Sequence, residues 1–192
     1  MRKSLILLFV LIQSLVFSAT KNLSDIKTLK FDVVEKTNIK SKKREISYKI
    51  DFMLPSKIKK EVTAPELNKG EIYLYDYTKN QKVVYLPIFN EVKETQIVDE
   101  ENRIIKAINK IIEEEKKNKE FSKNYNTKKA QSLNIDEQVT VDILSYIEIE
   151  GYILPEAVDI KDGGIKVGNI KISNLQINPK LEEKIILNAP KQ

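Results

Sequence analysis

The chain has no cysteine and no histidine among its 192 residues, and only five glycines. Without cysteine there can be no disulfide framework, no thiol nucleophile and no attachment point for the lipid of a bacterial lipoprotein. The further absence of histidine removes the usual ligands of zinc, copper and haem and excludes Ser-His and Cys-His catalysis. The few glycines form no phosphate-cradling loop. No metal site, no cofactor and no enzymatic activity are expected. Stability must then come from packing and from sheet hydrogen bonds.

Long apolar runs are also scarce, and the one present lies at the start. Met1, Arg2 and Lys3 precede a greasy stretch from Leu5 to Phe17 that only Gln13 and Ser14 interrupt. A charged start followed by a short apolar core reads as a secretory signal peptide. The run falls short of the ~20 residues that a membrane-crossing helix requires. Cleavage after Ser18, with Ala19 as the alternative, divides the chain into a signal peptide (1–18) and one domain (19–192), exported to the periplasm. The formal charge of +5 becomes +3 once Arg2 and Lys3 are removed, and the surplus is spread along the chain. No basic stripe interleaved with aromatics occurs, so no nucleic acid is expected as a partner. Weak attraction to anionic lipid head groups remains open.

Two periodicities organise the rest. From Glu45 to Leu54 the side chains alternate, with Ile46, Tyr48, Ile50, Phe52 and Leu54 on one face and charged or polar residues on the other. This is a strand with one buried face, ended by Pro55 and resumed from Ile58 to Val62 with Lys57, Lys59 and Glu61 outward. Leu29, Phe31 and Val33 mark an earlier strand, entered from a short helical lead at Asn22 to Lys27. After Gly70, Ile72 and Leu74 face one way and Tyr73, Tyr75 and Tyr77 the other, with a turn at Lys79-Asn80 into Val83 to Leu86. Strands follow at Val139 to Ile149 and Ile153 to Ile160, with Pro155 at an edge or bulge. Asp162-Gly163-Gly164 turns the chain into a last pair of strands from Ile165 to Leu187, with bulges near Gly168 and Asn174.

One segment has helical spacing. Ile104, Ile105, Ile108, Ile111 and Ile112 share one stripe, Asp99 is placed to cap the helix, and Glu113/Lys117 and Glu115/Lys119 are supportive i,i+4 pairs. From Glu114 to Lys129 the chain is polar apart from Phe121 and Tyr125 and reads as a solvated helix end or a loop. Strands flanking one strong helix give the class α+β with a large antiparallel sheet.

Candidate chemistry is thin. Ser24-Asp25-Ile26-Lys27 matches the Ser-x-x-Lys pattern without its companion motifs. The acidic clusters at 99–101 and 113–115 are solvent-facing residues rather than paired catalytic carboxylates. What stands out is greasy and aromatic surface on sheet faces. It reads either as an ordinary core, or as a groove between sheet and helix with tyrosine hydroxyls reaching water or a head group.

Residues 48–87, YKIDFMLPSKIKKEVTAPELNKGEIYLYDYTKNQKVVYLP, resemble the LolA-like family of outer-membrane lipoprotein carriers. Pro55, Lys59, Pro65, Gly70, Tyr75 and Tyr77 match in order and spacing its strand, basic strand and aromatic hairpin. The ending ISNLQINPKLEEKIILNAP resembles its last strands, with Asn178-Pro179 before the terminal strand and Pro190 closing it. The resemblance implies a curved antiparallel β-sheet, an unclosed half-barrel of the LolA, LolB or RseB type, with helices covering an apolar concave face that encloses acyl chains. It implies a soluble periplasmic carrier shuttling lipoproteins or lipids, with membrane donor and acceptor proteins as possible partners and a monomeric state. The alternative is an RseB-like sensor that binds lipid signals and a membrane partner. Lipid-binding residues are expected at Phe31, Ile46, Tyr48, Ile50, Phe52, Tyr75 and Tyr85 on the sheet and Ile104, Ile108, Ile111 and Ile112 on the helix. Leu54 stands where the carriers place an Arg that hydrogen-bonds to the lid, so lid control must differ here.

Overall fold

The computed structural model describes residues 20–39, 42–98, 102–129 and 132–187. The expected signal peptide, the expected cap at Asp99 and the closing Pro190 lie outside them. A single helical turn at Leu23–Asp25 leads into β1 (Thr28–Ile39), β2 (Lys42–Met53) and β3 (Lys57–Ala64). A second turn at Glu66–Asn68 precedes β4 (Ile72–Asp76), β5 (Gln81–Leu86) and β6 (Glu91–Gln96). Helices α1 (Arg103–Lys117) and α2 (Lys119–Asn126) follow. The chain then returns to strands as β7 (Ser132–Asn134), β8 (Val139–Ile149), β9 (Tyr152–Asp162) and β10 (Ile165–Ile177), and ends in a short α3 (Glu183–Leu187).

All ten strands form one antiparallel sheet in the order β6-β5-β4-β3-β2-β1-β10-β9-β8-β7. Every neighbour is a sequence neighbour except β1 and β10, whose pairing of Leu29 with Ile177 through Thr37 with Gly168 joins two meanders. The sheet is curved and does not close, as the family resemblance implies. The slips of phase in β10 are real: register shifts fall between Lys166 and Gly168 and opposite Lys30 to Asp32, and Asn174 takes a left-handed φ of 52°. Pro155 sits at a bulge opposite Ser145 and Tyr146, in an interior strand rather than at an edge.

Three expectations are corrected. The segment after β10 is not a strand. Asn178, at φ 51°, turns the chain out of the sheet, and its side-chain oxygen accepts from the backbone N–H groups of Lys27 (2.7 Å) and Thr28 (3.3 Å). The chain then packs as α3 against β3 and β4, tied by an ion pair between Lys57 and Glu183. The polar stretch from Glu114 is a solvated helix end only as far as Lys117, and beyond it forms a second helix rather than a loop. Asn118 ends α1 and caps α2, accepting from the N–H groups of Glu120 (3.1 Å) and Phe121 (3.0 Å). Its apolar pair Phe121 and Tyr125 stacks at 5.6 Å, and Tyr125 is fully buried with its hydroxyl donating to the Ile153 carbonyl (3.1 Å). Finally, α1 starts one residue after Asn102, which holds the N-cap position in a left-handed conformation. Glu113 pairs with Lys117 as expected (2.6 Å), whereas Glu115 reaches back to accept from the Leu23 N–H (3.1 Å).

Two short strands had no clear apolar signature. β6 is exposed at every position, and β7 is only three residues long. They are the two edges of the sheet, which proteins keep short or charged against pairing with other chains.

On the face away from α1, Leu74 and Asp76 are buried where α3 packs on β3 and β4. Burial pushes the Asp76 carboxyl up, but hydrogen bonds from the Thr78 hydroxyl and N–H, together with Lys57 and Lys79, outweigh it and hold its pKa below the usual 3.8. A lowered carboxylate pKa stabilises the fold above the unfolded-state value, and that contribution disappears as pH falls through the folded-state value. Asp76→Asn is therefore expected to cost about 1 kcal/mol at pH 7, with the gap from wild type closing as pH falls below the ordinary carboxylate range. Thermal melts of both proteins across acidic pH check this.

Candidate functional site

The concave face is built in rows that run across strands. Register aligns Ile177, Leu29, Phe52, Ile58 and Tyr75 in one row, and Phe31, Ile50, Lys60 and Tyr73 belong to the next. A third row holds Val33, Tyr48 and Val62. Because directly opposed residues in an antiparallel ladder share a face, these rows all point the same way. Against them lies α1, whose Ile104, Ile105, Ala107, Ile108 and Ile111 are buried in the same apolar cluster. The second meander contributes Val141, Ile160, Ile170 and Ile172 to that cluster.

Ten of the eleven residues expected to line a groove meet here. Phe31, Tyr48, Ile50, Phe52, Tyr75, Ile104, Ile108 and Ile111 are buried together, and Ile46 and Ile112 border them half-buried. Tyr85 does not belong. It pairs with Ile72, and so lies on the opposite face from Tyr73 and Tyr75. The position on β5 that shares the concave face next to Tyr73 is Val84. An aromatic residue in a two-sided strand can serve either face, and only the hairpin register decides.

The face is covered in this conformation: α1 fills it with isoleucine side chains. Apolar contact is supplemented by a few polar pins. Asn102 Nδ2 donates to the Tyr77 hydroxyl (3.2 Å), Asn109 Nδ2 to the Pro55 carbonyl (2.9 Å), and the Leu23 N–H to Glu115 (3.1 Å). Burial pushes the Glu115 carboxyl up despite that hydrogen bond. Polar contact between α1 and the turn after Leu54 thus runs from the helix side chain to a backbone carbonyl.

Of the cavities that border α1, two touch the first meander. One, of about 540 Å³, lies between α1 and the turns of the first meander, lined by Pro55, Tyr77, Ile105, Asn109 and Ile135 among others. The second, of about 380 Å³, opens at the start of α1 over Ile46, Tyr48, Tyr73 and Tyr75. Both volumes are within the range of ligand-binding clefts. The Tyr77 to Asn102 hydrogen bond joins a wall of the first to a wall of the second.

The second cavity contains residues that the sequence reading passed over. Arg44, Lys60, Lys82 and Arg103 line it with Glu35. Lys60 Nζ sits 4.0 Å from the Tyr48 ring centre and 5.8 Å from that of Tyr73, and Lys82 Nζ lies 5.5 and 5.7 Å from Tyr73 and Tyr75. The signal for Lys60 was present: it alternates in phase with Ile58 and Val62, which places a cation on the greasy face. Tyr48 donates to Glu35 (2.8 Å), and burial first, then this carboxylate, push its phenol pKa well above the ordinary value. Among the described residues, no group of three or more carboxylates is placed to hold a metal ion, and no helix is long and apolar enough to cross a membrane.

The fold has solved counterparts. A LolA superfamily protein from Nitrosomonas europaea superposes with a TM-score of 0.56 at 10% identity, covering 85% of this chain and 91% of that one. A DUF1329 family protein from Desulfovibrio piger superposes with a TM-score of 0.55 at 12% identity, over 85% and 91% of the two chains. No protein-family model matches the sequence, and no curated protein matches it. The chain therefore has a LolA-like fold.

If the helix stripe is packed as described, Ile111→Ala should lower the unfolding free energy by about 2–5 kcal/mol, and Ile112→Ala at the half-buried border by less. Denaturant titration of the two variants checks this.

Proposed function

We propose that the chain is a periplasmic carrier that takes up acyl chains of lipids or lipoproteins beneath α1, without any covalent step. The observation that supports this most is the cover itself. In a LolA-like fold, an amphipathic helix packs its isoleucine stripe into the apolar cluster of the concave face, held by apolar contact and a few polar pins, with cavities on both flanks.

Energetics are compatible with exchange of helix for ligand. Burial of Ile104, Ile105, Ile108 and Ile111 is worth about 1.5–3 kcal/mol each, or roughly 6–12 kcal/mol together. An acyl chain of roughly a dozen methylenes at about 0.8 kcal/mol each offers roughly 10 kcal/mol. Two occupants so evenly matched allow loading and release without an energy source in the chain itself. The reading includes the signal peptide and export described from the sequence, a monomeric state, and membrane partners at donor and acceptor ends.

A fluorescent fatty-acid probe is expected to bind saturably, with affinity flat between about pH 6 and 7.5 because no histidine can change charge there. Asn109→Ala removes the pin on Pro55 and should raise the association rate several-fold while shifting the melting temperature little. Stopped-flow binding and a thermal melt decide. Absence of saturable binding by the wild-type protein would overturn the carrier reading.

A further inference from the structure

The turns β1–β2, β5–β6 and β9–β10 all lie at one end of the sheet, as the antiparallel registers and the pairing of Thr37 with Gly168 require. The β5–β6 turn is Pro87-Ile88-Phe89-Asn90, closed by the Phe89 and Asn90 N–H groups donating to the carbonyls of Leu86 and Pro87 (3.2 Å each), with Asn90 at φ 47°. It leaves Ile88 and Phe89 64% and 72% exposed. Ile165, at the β9–β10 turn, is 72% exposed. A side chain added at Gly163 or Gly164 would meet nothing within 4 Å, so this turn stands clear of the body. Between the two, the β1–β2 hairpin projects past both its neighbours. Its strands stay paired as far as Ile39 with Lys42, whereas the ladder to β10 ends at Thr37 with Gly168 and the ladder to β3 at Ser47 with Ala64. Lys36 is paired with Glu45 (3.2 Å), but Lys42, Lys43 and Arg44 are exposed and no carboxylate among the described residues pairs with them. Lys40 and Ser41, which join the strands, bring no acid.

A lone exposed apolar side chain needs no explanation. Here two are adjacent at the tip of one turn, and a third shares their end of the sheet across five strand spacings of about 4.8 Å each. Points so far apart do not fit one pocket on a protein partner. They suit an extended, yielding surface that each tip enters separately. A bilayer is such a surface: apolar and aromatic tips enter its interface, and lysines on the hairpin between them meet anionic head groups. We propose that this end of the sheet is a docking face for an anionic bilayer, with Ile88, Phe89 and Ile165 entering the interface and Lys42 and Lys43 against the head groups. The inference does not rest on the carrier reading. It complements that reading, because Thr37 and Arg44 of the same hairpin line the cavity at the start of α1.

The chain contains no tryptophan. Phe89→Trp therefore places a single fluorophore at the proposed contact, and Leu144→Trp places a control in the middle of β8, where the side chain is 56% exposed. The protein, expressed in full and purified as the cell processes it, is titrated with vesicles of phosphatidylcholine, with and without phosphatidylglycerol. Emission of Phe89→Trp should shift to the blue on phosphatidylglycerol vesicles and be quenched by bromine-labelled acyl chains, while Leu144→Trp stays unchanged. In a sedimentation assay, Ile88→Ser combined with Phe89→Ser should weaken partitioning at least about tenfold. Lys42→Ser combined with Lys43→Ser should remove about tenfold of the preference for phosphatidylglycerol and leave the spectral shift at saturating lipid. Melts matched to wild type establish that both double variants are folded. An unchanged spectrum of Phe89→Trp overturns the proposal, and so do equal shifts at both tryptophans or serine variants at positions 88 and 89 that partition like wild type. A preference for phosphatidylglycerol that survives loss of both lysines overturns it too. Blue-shifted emission of Phe89→Trp without vesicles, together with self-association in sedimentation velocity, would assign the tip to a second copy of the chain and overturn the bilayer as its partner.

Discussion

The chain leaves the sheet at β6, one edge, and re-enters it at β7, the other. Everything between must cross a face of the sheet, and this crossing is the constraint on which the remaining architecture depends. A polar crossing would leave the concave rows facing water. Here the crossing carries a stripe of isoleucines, so the segment that connects the two meanders is also the element that covers them. Position and register of α1 follow from connectivity before any side chain is considered. The isoleucines then determine which face is crossed and how deeply the helix seats.

Along the concave face, polarity changes in one direction. Beneath the middle of α1 the rows are apolar, from Leu29 through Phe52 to Ile58. Toward the start of the helix they give way to tyrosines and then to lysine and arginine. Tyrosine suits the boundary because its ring packs with the apolar rows while its hydroxyl meets charge and water. Lys60 can occupy the greasy face for the related reason that its stem packs alongside Tyr48 while its ammonium lies against the ring.

Strong periodicity made most of the sheet legible from the sequence. The alternation from Ile46 to Leu54, the tyrosines after Gly70 and the stripe in α1 each identified an element and the face it buries. What escaped was decided by local polar geometry or by tertiary register. Asn118 caps a helix in a stretch without an apolar run, Asn178 turns the chain out of the sheet where further apolar residues suggested a strand, and β6 is exposed along its length. Of the candidate site, the apolar members could be read because burial has a period. Tyr85 could not, since its face depends on how one hairpin pairs. The cations of the second cavity come from four separate elements, and only the assembled sheet brings them together.

The seam between β1 and β10 has a consequence for the order in which the molecule forms. All other strand pairs join sequence neighbours, whereas this one links Leu29 to Ile177 across nearly the whole described chain. Contacts so distant in sequence carry the largest loop-closure cost and form late. Each meander can assemble by itself, and the seam closes last, an order that pulse-labelled amide exchange would resolve. During synthesis β1 emerges first and its partner strand almost last. Until then its inner edge has open hydrogen-bonding groups beside Leu29, Phe31 and Val33, so the strand at the centre of the finished sheet spends the longest time as an edge.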